Sequence, residues 1–246
     1  MTLRGLSLAA AFAFSLLSFA SLASAADAWS PERRTVEYPW MSVDRWNQMH
    51  EGFLKRAKEG PVDVLFLGDS ITEGWGGAGR EIWDARFKPL KAANFGIGGD
   101  KTQQVLWRIS EGGELEGISP KACVLMIGTN NFGLGGEKPE NVAKGIKAIV
   151  EKLREKKPDM KVLVLGIFPR DEKPGTGMRK NIAAVNAEIA KLDDGKQVKF
   201  LDIGPSFLNA EGVLSKDIMP DFLHLSPKGY EIWAEMVNRP LAELLK

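Results

Sequence analysis

The sequence predicts an α/β protein: a three-layer α/β/α sandwich around a five-stranded parallel sheet. Three observations carry that prediction. Five short apolar runs, Val62 to Leu67, Lys91 to Phe95, Ala122 to Ile127, Lys161 to Phe168 and Val198 to Ile203, read as strands buried in a parallel sheet. Segments of helical period alternate with them, which implies βαβ crossovers. No internal repeat or low-complexity stretch competes with this pattern.

Composition bounds the rest. The chain has 246 residues, 44% hydrophobic and 26% charged, enough for one sizeable domain. Thirty-three basic against 32 acidic residues leave a net charge of +1, and no Lys/Arg-dense stretch stands out, which argues against a nucleic-acid partner. At the N-terminus, Arg4 precedes an apolar run, Leu6 to Leu22, that ends in Ala23-Ser24-Ala25. Residues 1–25 are therefore expected to be a secretory signal peptide cut after Ala25, with Ala26-Asp27-Ala28 as a second small-x-small site. A membrane anchor is the competing reading, but the run is near the lower limit for spanning and carries four serines. The expectation is an exported protein, periplasmic or secreted, with no stable membrane span in its mature form. Cys123 is the single cysteine and lies in an apolar run, so it reads as a core residue with no redox role.

In chain order, residues 26–43 read as an extended N-terminal arm containing Pro31 and Pro39, and residues 44–246 as the folded domain. Trp46, Met49, Phe53, Leu54 and Ala57 recur at helical spacing over Asp44 to Lys58, with Asp44 as the expected N-cap. His50 shares a face with Trp46 and reads as a surface or packing histidine. The first strand runs into Gly68-Asp69-Ser70, and the acid, hydroxyl and glycine types that follow are those of a strand-to-helix corner. TEGWGGAGR is expected to be a flexible loop, with Trp75 as a lid, a substrate platform or a hydrophobic plug. Helices are expected near Glu81 to Phe87, Gln104 to Ile109, Glu137 to Lys156, Met178 to Leu192 and Pro227 to Leu245, the last with its proline in the first turn.

Four polar motifs follow strands or precede the last helix: Gly68-Asp69-Ser70, Gly96 to Asp100, Gly128-Thr129-Asn130 and Asp221-Phe222-Leu223-His224. A parallel sheet brings the first three to one edge, where ligands of open α/β sheets bind. A serine hydroxyl needs an imidazole to take its proton, and the imidazole needs an acid to hold its tautomer. Asp221 and His224 fit within one turn, with the carboxylate against one ring nitrogen and the other nitrogen facing Ser70. The oxygen of an attacked carbonyl needs waiting donors: the backbone N–H of Gly99, the side-chain amide of Asn130 and the backbone N–H of Ser70. Each signal alone is weak, since Asp-x-x-His can be a helix cap and Asn130-Asn131 a turn. Their joint placement at the ends of elements makes the case.

GDSITEG, NFGIGGD, IGTNN and DFLHL resemble the four sequence blocks of the SGNH (GDSL) hydrolases. Within that family, NFGIGGDKTQQVLWRI, GELEGISPK, LGIFPR and FLHLSPKGY are most similar to the catalytic subunits of platelet-activating factor acetylhydrolase and their bacterial relatives. The resemblance covers nearly all of the chain after the leader. It implies a flavodoxin-like sandwich, Ser70 as nucleophile, His224 as base and then acid, Asp221 as its orienting partner, Gly99 and Asn130 as oxyanion donors, and no metal or other cofactor. It implies hydrolysis of a short acyl ester, most of all acetyl, from a small molecule or a polysaccharide. The glycine-rich stretch after Thr72 departs from the mammalian subunits, and bacterial members with similar blocks include sugar deacetylases, so carbohydrate and acetyl-phospholipid substrates both stay open, as does a homodimer.

Ile71, Trp75, Thr129 and Leu223 adjoin the expected catalytic residues and are candidates to line a substrate pocket, although packing explains them equally. Trp83 and Trp107 are stacking candidates for a sugar ring, with core packing the simpler reading. Two rivals come from other classes. A flavin- or phosphate-binding flavodoxin-like module leaves Asn130 and the Asp221–His224 pair without a role. A non-catalytic binding protein leaves all of the reactive groups unexplained.

Overall fold

The computed structural model describes residues 26–246; the expected leader, residues 1–25, lies outside the described residues. The elements, in order, are α1 (Val43–Arg56), β1 (Val64–Gly68), α2 (Ser70–Glu73), α3 (Arg80–Arg86), β2 (Ala92–Gly96), α4 (Thr102–Ile109), β3 (Ala122–Met126), α5 (Thr129–Gly133), α6 (Pro139–Lys156), β4 (Lys161–Leu165), α7 (Gly177–Ile189), β5 (Val198–Leu201) and α8 (Pro227–Leu244). All strand pairs are parallel, in the order β2-β1-β3-β4-β5. That is the flavodoxin-like order, with its switch point between β1 and β3.

Alternation along each strand divides the core into two layers. Leu65, Leu67, Cys123, Leu125, Val162 and Val164 face α4, α6 and α7, where Val105, Ile146, Ile149 and Val185 cover them. Val64, Phe66, Val124, Met126, Leu163 and Leu165 face the other way, toward Trp75, Phe87, Tyr230, Trp233 and Val237. β1 and β3 are buried at every position, as strands covered on both faces must be.

Several local expectations are corrected. The N-cap of α1 is Ser42, whose hydroxyl accepts from Arg45 N–H at 3.0 Å; Asp44 sits in the first turn, where a carboxylate favours the helix dipole without capping. β4 and β5 stop at Leu165 and Leu201, short of the expected Phe168 and Ile203. The stretch after Thr72 is not a loose loop. It is the end of α2, a tight 3-10 turn over Gly74–Gly76 and then α3. Trp75 is fully buried in an aromatic cluster, 5.0 Å from Trp233 and 4.6 Å from Tyr230 between ring centroids. It is a plug beneath α2 and neither a lid nor a substrate platform.

Candidate active site

Ser70 stands at the switch point because of three local constraints. β1 ends at Gly68, where a side chain would collide with Thr72 Oγ1 and Met126 O at 2.2 and 2.3 Å, so glycine lets the chain turn over the sheet edge. Asp69 then caps α2 through Oδ1, which accepts from Ile71 N–H at 3.0 Å. Gly96 at the end of β2 admits α2 closely, since a Cβ there would lie 2.2 Å from Glu73 N. Ser70 is the first residue of α2 and its side chain is half-buried.

The other members arrive from the far end of the chain. Ser70 Oγ lies 2.9 Å from His224 Nε2, and His224 Nδ1 lies 2.7 Å from Asp221 Oδ2. Asp221 Oδ1 accepts from the backbone N–H of Leu223 at 3.1 Å and of His224 at 2.7 Å. The turn closes because Phe222 takes a left-handed φ of 59°. Burial tends to raise the Asp221 carboxyl, but hydrogen bonds from the His224 ring and backbone outweigh it and hold the group below the usual carboxylate range. Asp69 goes the other way: desolvation in its buried position pushes it up to about 7.

Opposite Ser70, the Gly96 to Asp100 segment curls under the sheet edge. Gly98 N–H donates to Glu73 Oε2 at 2.7 Å, Asp100 N–H to Ile97 O at 3.2 Å, and Asp100 O accepts from Asn130 Nδ2 at 3.0 Å. Gly99 has φ +75°. Its N–H has no acceptor among the described residues, nor has that of Ser70. Asn130 spends one amide hydrogen on Asp100 and keeps the second. The donors expected at Ser70, Gly99 and Asn130 thus each retain an unspent N–H among the described residues. Asn130 is presented by α5, a single helical turn. That turn starts at Gly128, whose φ of +126° lies in the range that L side chains rarely adopt.

The pocket candidates separate. Ile71 and Thr129 are buried at 1%, Trp75 at 0%, and Leu223 alone of the four is partly exposed beside His224. Thr129 Oγ1 accepts from Arg170 Nη1 at 3.3 Å. Both tryptophans offered for stacking are half-buried against other rings: Trp83 packs edge-on to Phe66, and Trp107 packs against Trp46 and His50. His50 is a packing histidine with a partner invisible in the local sequence, Glu114 Oε1 at 2.7 Å from Nδ1.

Sequence reasoning missed several supports. Asn131 Oδ1 accepts from Thr102 N–H at 3.0 Å and its amide reaches Gln103 and Glu137, so it ties α5 to α4. Arg108 is wholly buried and donates to Phe95 O and Gly68 O, bracing the ends of β2 and β1. The doubling of asparagine in Thr129-Asn130-Asn131 was the available signal for the first. A charged residue on the apolar face of α4 was the signal for the second. Among the described residues no group of three or more His, Cys, Asp or Glu is placed to hold a metal ion, and no helix is long and apolar enough to cross a membrane.

Residues 66–232 match the GDSL-like Lipase/Acylhydrolase family. The alpha1 subunit of platelet-activating factor acetylhydrolase IB from Homo sapiens is 41% identical over 201 residues, covering 82% of this chain and 84% of that protein. The alpha2 subunit from Rattus norvegicus is 42% identical over 202 residues with the same coverage. A GDSL-like lipase from Bacteroides thetaiotaomicron shares the fold, with a TM-score of 0.64 at 21% identity over 81% of this chain and 97% of its own. The chain belongs to the GDSL-like lipase/acylhydrolase family and is a carboxylic ester hydrolase.

Proposed function

We propose that this protein is a serine esterase that removes acetyl groups through an acyl-enzyme on Ser70. The observation that carries the reading is the continuous chain from Ser70 Oγ through His224 to Asp221, at 2.9 and 2.7 Å, beside unspent donors from Ser70, Gly99 and Asn130. Acetyl is the acyl group because the relatives at 41–42% identity are named acetylhydrolases.

In the reaction, Ser70 Oγ attacks the ester carbonyl carbon while His224 Nε2 takes its proton. Asp221 accepts from His224 Nδ1–H, which keeps Nε2 free as the acceptor and favours the imidazolium that forms. Negative charge on the former carbonyl oxygen meets the N–H groups of Ser70 and Gly99 and the free amide hydrogen of Asn130. Collapse breaks the bond to the alcohol, which leaves with the proton from His224. Water then attacks the acyl-enzyme, gives its proton to His224, and acetate departs as Ser70 recovers that proton.

The test is hydrolysis of p-nitrophenyl acetate, butyrate and octanoate by the wild type, Ser70→Ala and His224→Ala. The reading expects rates that fall with chain length and collapse in both variants. Activity retained by Ser70→Ala refutes it. The N-terminal run of residues 1–25 further supports export to the periplasm or medium. N-terminal sequencing of the mature protein tests this, with a start at Ala26 expected and retention of Met1 contradicting it.

A further inference from the structure

We infer that Arg34, in the arm before α1, is a positioning residue that aims the Gly99 N–H at the oxyanion. The inference rests on the acyl-enzyme reading above and adds to it a residue lying outside the 66–232 segment that matches the family.

A trans peptide is planar, and its C=O and N–H point in opposite directions. The Gly99 N–H shares its plane with the Gly98 carbonyl, so whatever fixes that carbonyl fixes the N–H. Gly98 O accepts from Arg34 Nη2 at 3.0 Å. The donor therefore faces directly away from the guanidinium, and a cation on the carbonyl oxygen also polarises the amide toward stronger donation.

Arg34 is itself held from several sides. Its Nη2 is 3.0 Å from Asp100 Oδ1, so one guanidinium grips the residues on both flanks of Gly99. Asp100 is anchored in turn by Trp46 Nε1 at 2.7 Å and by a close ion contact with Arg108 Nε at 2.9 Å. The Tyr38 ring covers the guanidinium, 5.2 Å from Cζ to centroid. That ring is fixed by a tight turn, with Tyr38 and Met41 exchanging both backbone hydrogen bonds at 3.0 Å. Arg34 is 3% exposed. The same packing explains why residue 99 is glycine for a second reason besides its φ: a Cβ there would lie 3.1 Å from both Nη1 and Nη2.

Both contacts leave Nη2, whose two hydrogens are fixed in the guanidinium plane, whereas a lysine ammonium ends one atom shorter and rotates freely, so it cannot hold both acceptors from the same backbone position. The experiment measures kcat and KM on p-nitrophenyl acetate for Arg34→Ala, Arg34→Lys and Ser70→Ala, each with and without guanidinium chloride at low, non-denaturing concentration. Loss of an oriented oxyanion donor costs about 10²–10³ in kcat, and partial misalignment is expected to cost Arg34→Ala about 10- to 100-fold with KM within about threefold. Added guanidinium restores kcat severalfold in Arg34→Ala and does nothing for Ser70→Ala. Arg34→Lys folds and stays impaired in kcat. Should Arg34→Ala not fold, Arg34→Lys decides alone: a folded variant with wild-type kcat overturns the inference. A loss confined to KM, or no rescue by guanidinium in a folded Arg34→Ala, overturns it as well. An inert Ser70→Ala beside wild-type Arg34 variants defeats only this inference, whereas an active Ser70→Ala defeats the acyl-enzyme reading beneath it.

Discussion

Asp221 holds His224 at two points with one carboxylate: Oδ2 faces the ring Nδ1 at 2.7 Å, and Oδ1 accepts the backbone N–H of the same residue at 2.7 Å. The acid thus sets both the imidazole's tautomer and the turn that carries it. Asp221→Ala is expected to lower kcat on p-nitrophenyl acetate by about 10²–10⁴. The melting midpoint is expected to move little, because the carboxylate is exposed and screened. The depressed acid also fixes a sign. Support from ionised Asp221 is fully present above the ordinary aspartate value and is lost only as pH falls through its lowered one, so the carboxylate is expected to stay ionised to below about pH 4. A carbon-13 titration of the Asp221 carboxyl checks it.

Asp69 has the opposite linkage. Its native value near 7 lies above that of the unfolded chain, so unfolding releases a proton and stability falls as pH rises between about 4 and 7. Asp69→Asn keeps an oxygen for the Ile71 cap and cannot ionise. Its melting temperature is expected to be flatter across that window than the wild type's, with the variant gaining on the wild type at pH 8. Parallel slopes in thermal melts would contradict this.

Gly96 lies where α2 crosses the end of β2, and the obstacles to a side chain are backbone atoms, Glu73 N at 2.2 Å and Thr72 C at 2.6 Å. Gly96→Ala therefore cannot be relieved by a rotamer change. It is expected to cost about 2–3 kcal/mol in denaturant unfolding, and to lower kcat beyond what partial unfolding explains because α2 carries Ser70.

Trp75 separates packing from substrate contact. Trp75→Ala is expected to cost about 3–5 kcal/mol of stability, Trp75→Phe less, with KM for p-nitrophenyl acetate unchanged in Trp75→Phe. A raised KM at normal stability would return this side chain to the substrate site.

The sheet and the spacing of the site were legible because they are local. Val64–Gly68 and Ala122–Met126 are apolar throughout, and the polar residues that follow each strand fall at its carboxyl end by construction. Asp221 and His224 share one turn, so three residues of sequence contain their geometry. What was missed depends on pairs far apart in the chain. His50 looked solitary until Glu114 came beside it, and Trp75 sits in a glycine-rich stretch that resembles a loop until Tyr230 and Trp233 close over it. Arg34 sits in an arm without periodicity, and its partners at Gly98 and Asp100 lie more than 60 residues on.

The most direct measurement is intact mass and peptide mapping after exposure to a fluorophosphonate, which phosphonylates a serine only where a base and an oxyanion site activate it. The account predicts one adduct per chain, on the peptide containing Ser70, absent from Ser70→Ala and strongly slowed in His224→Ala. No adduct, or an adduct elsewhere with esterase activity intact, would contradict it.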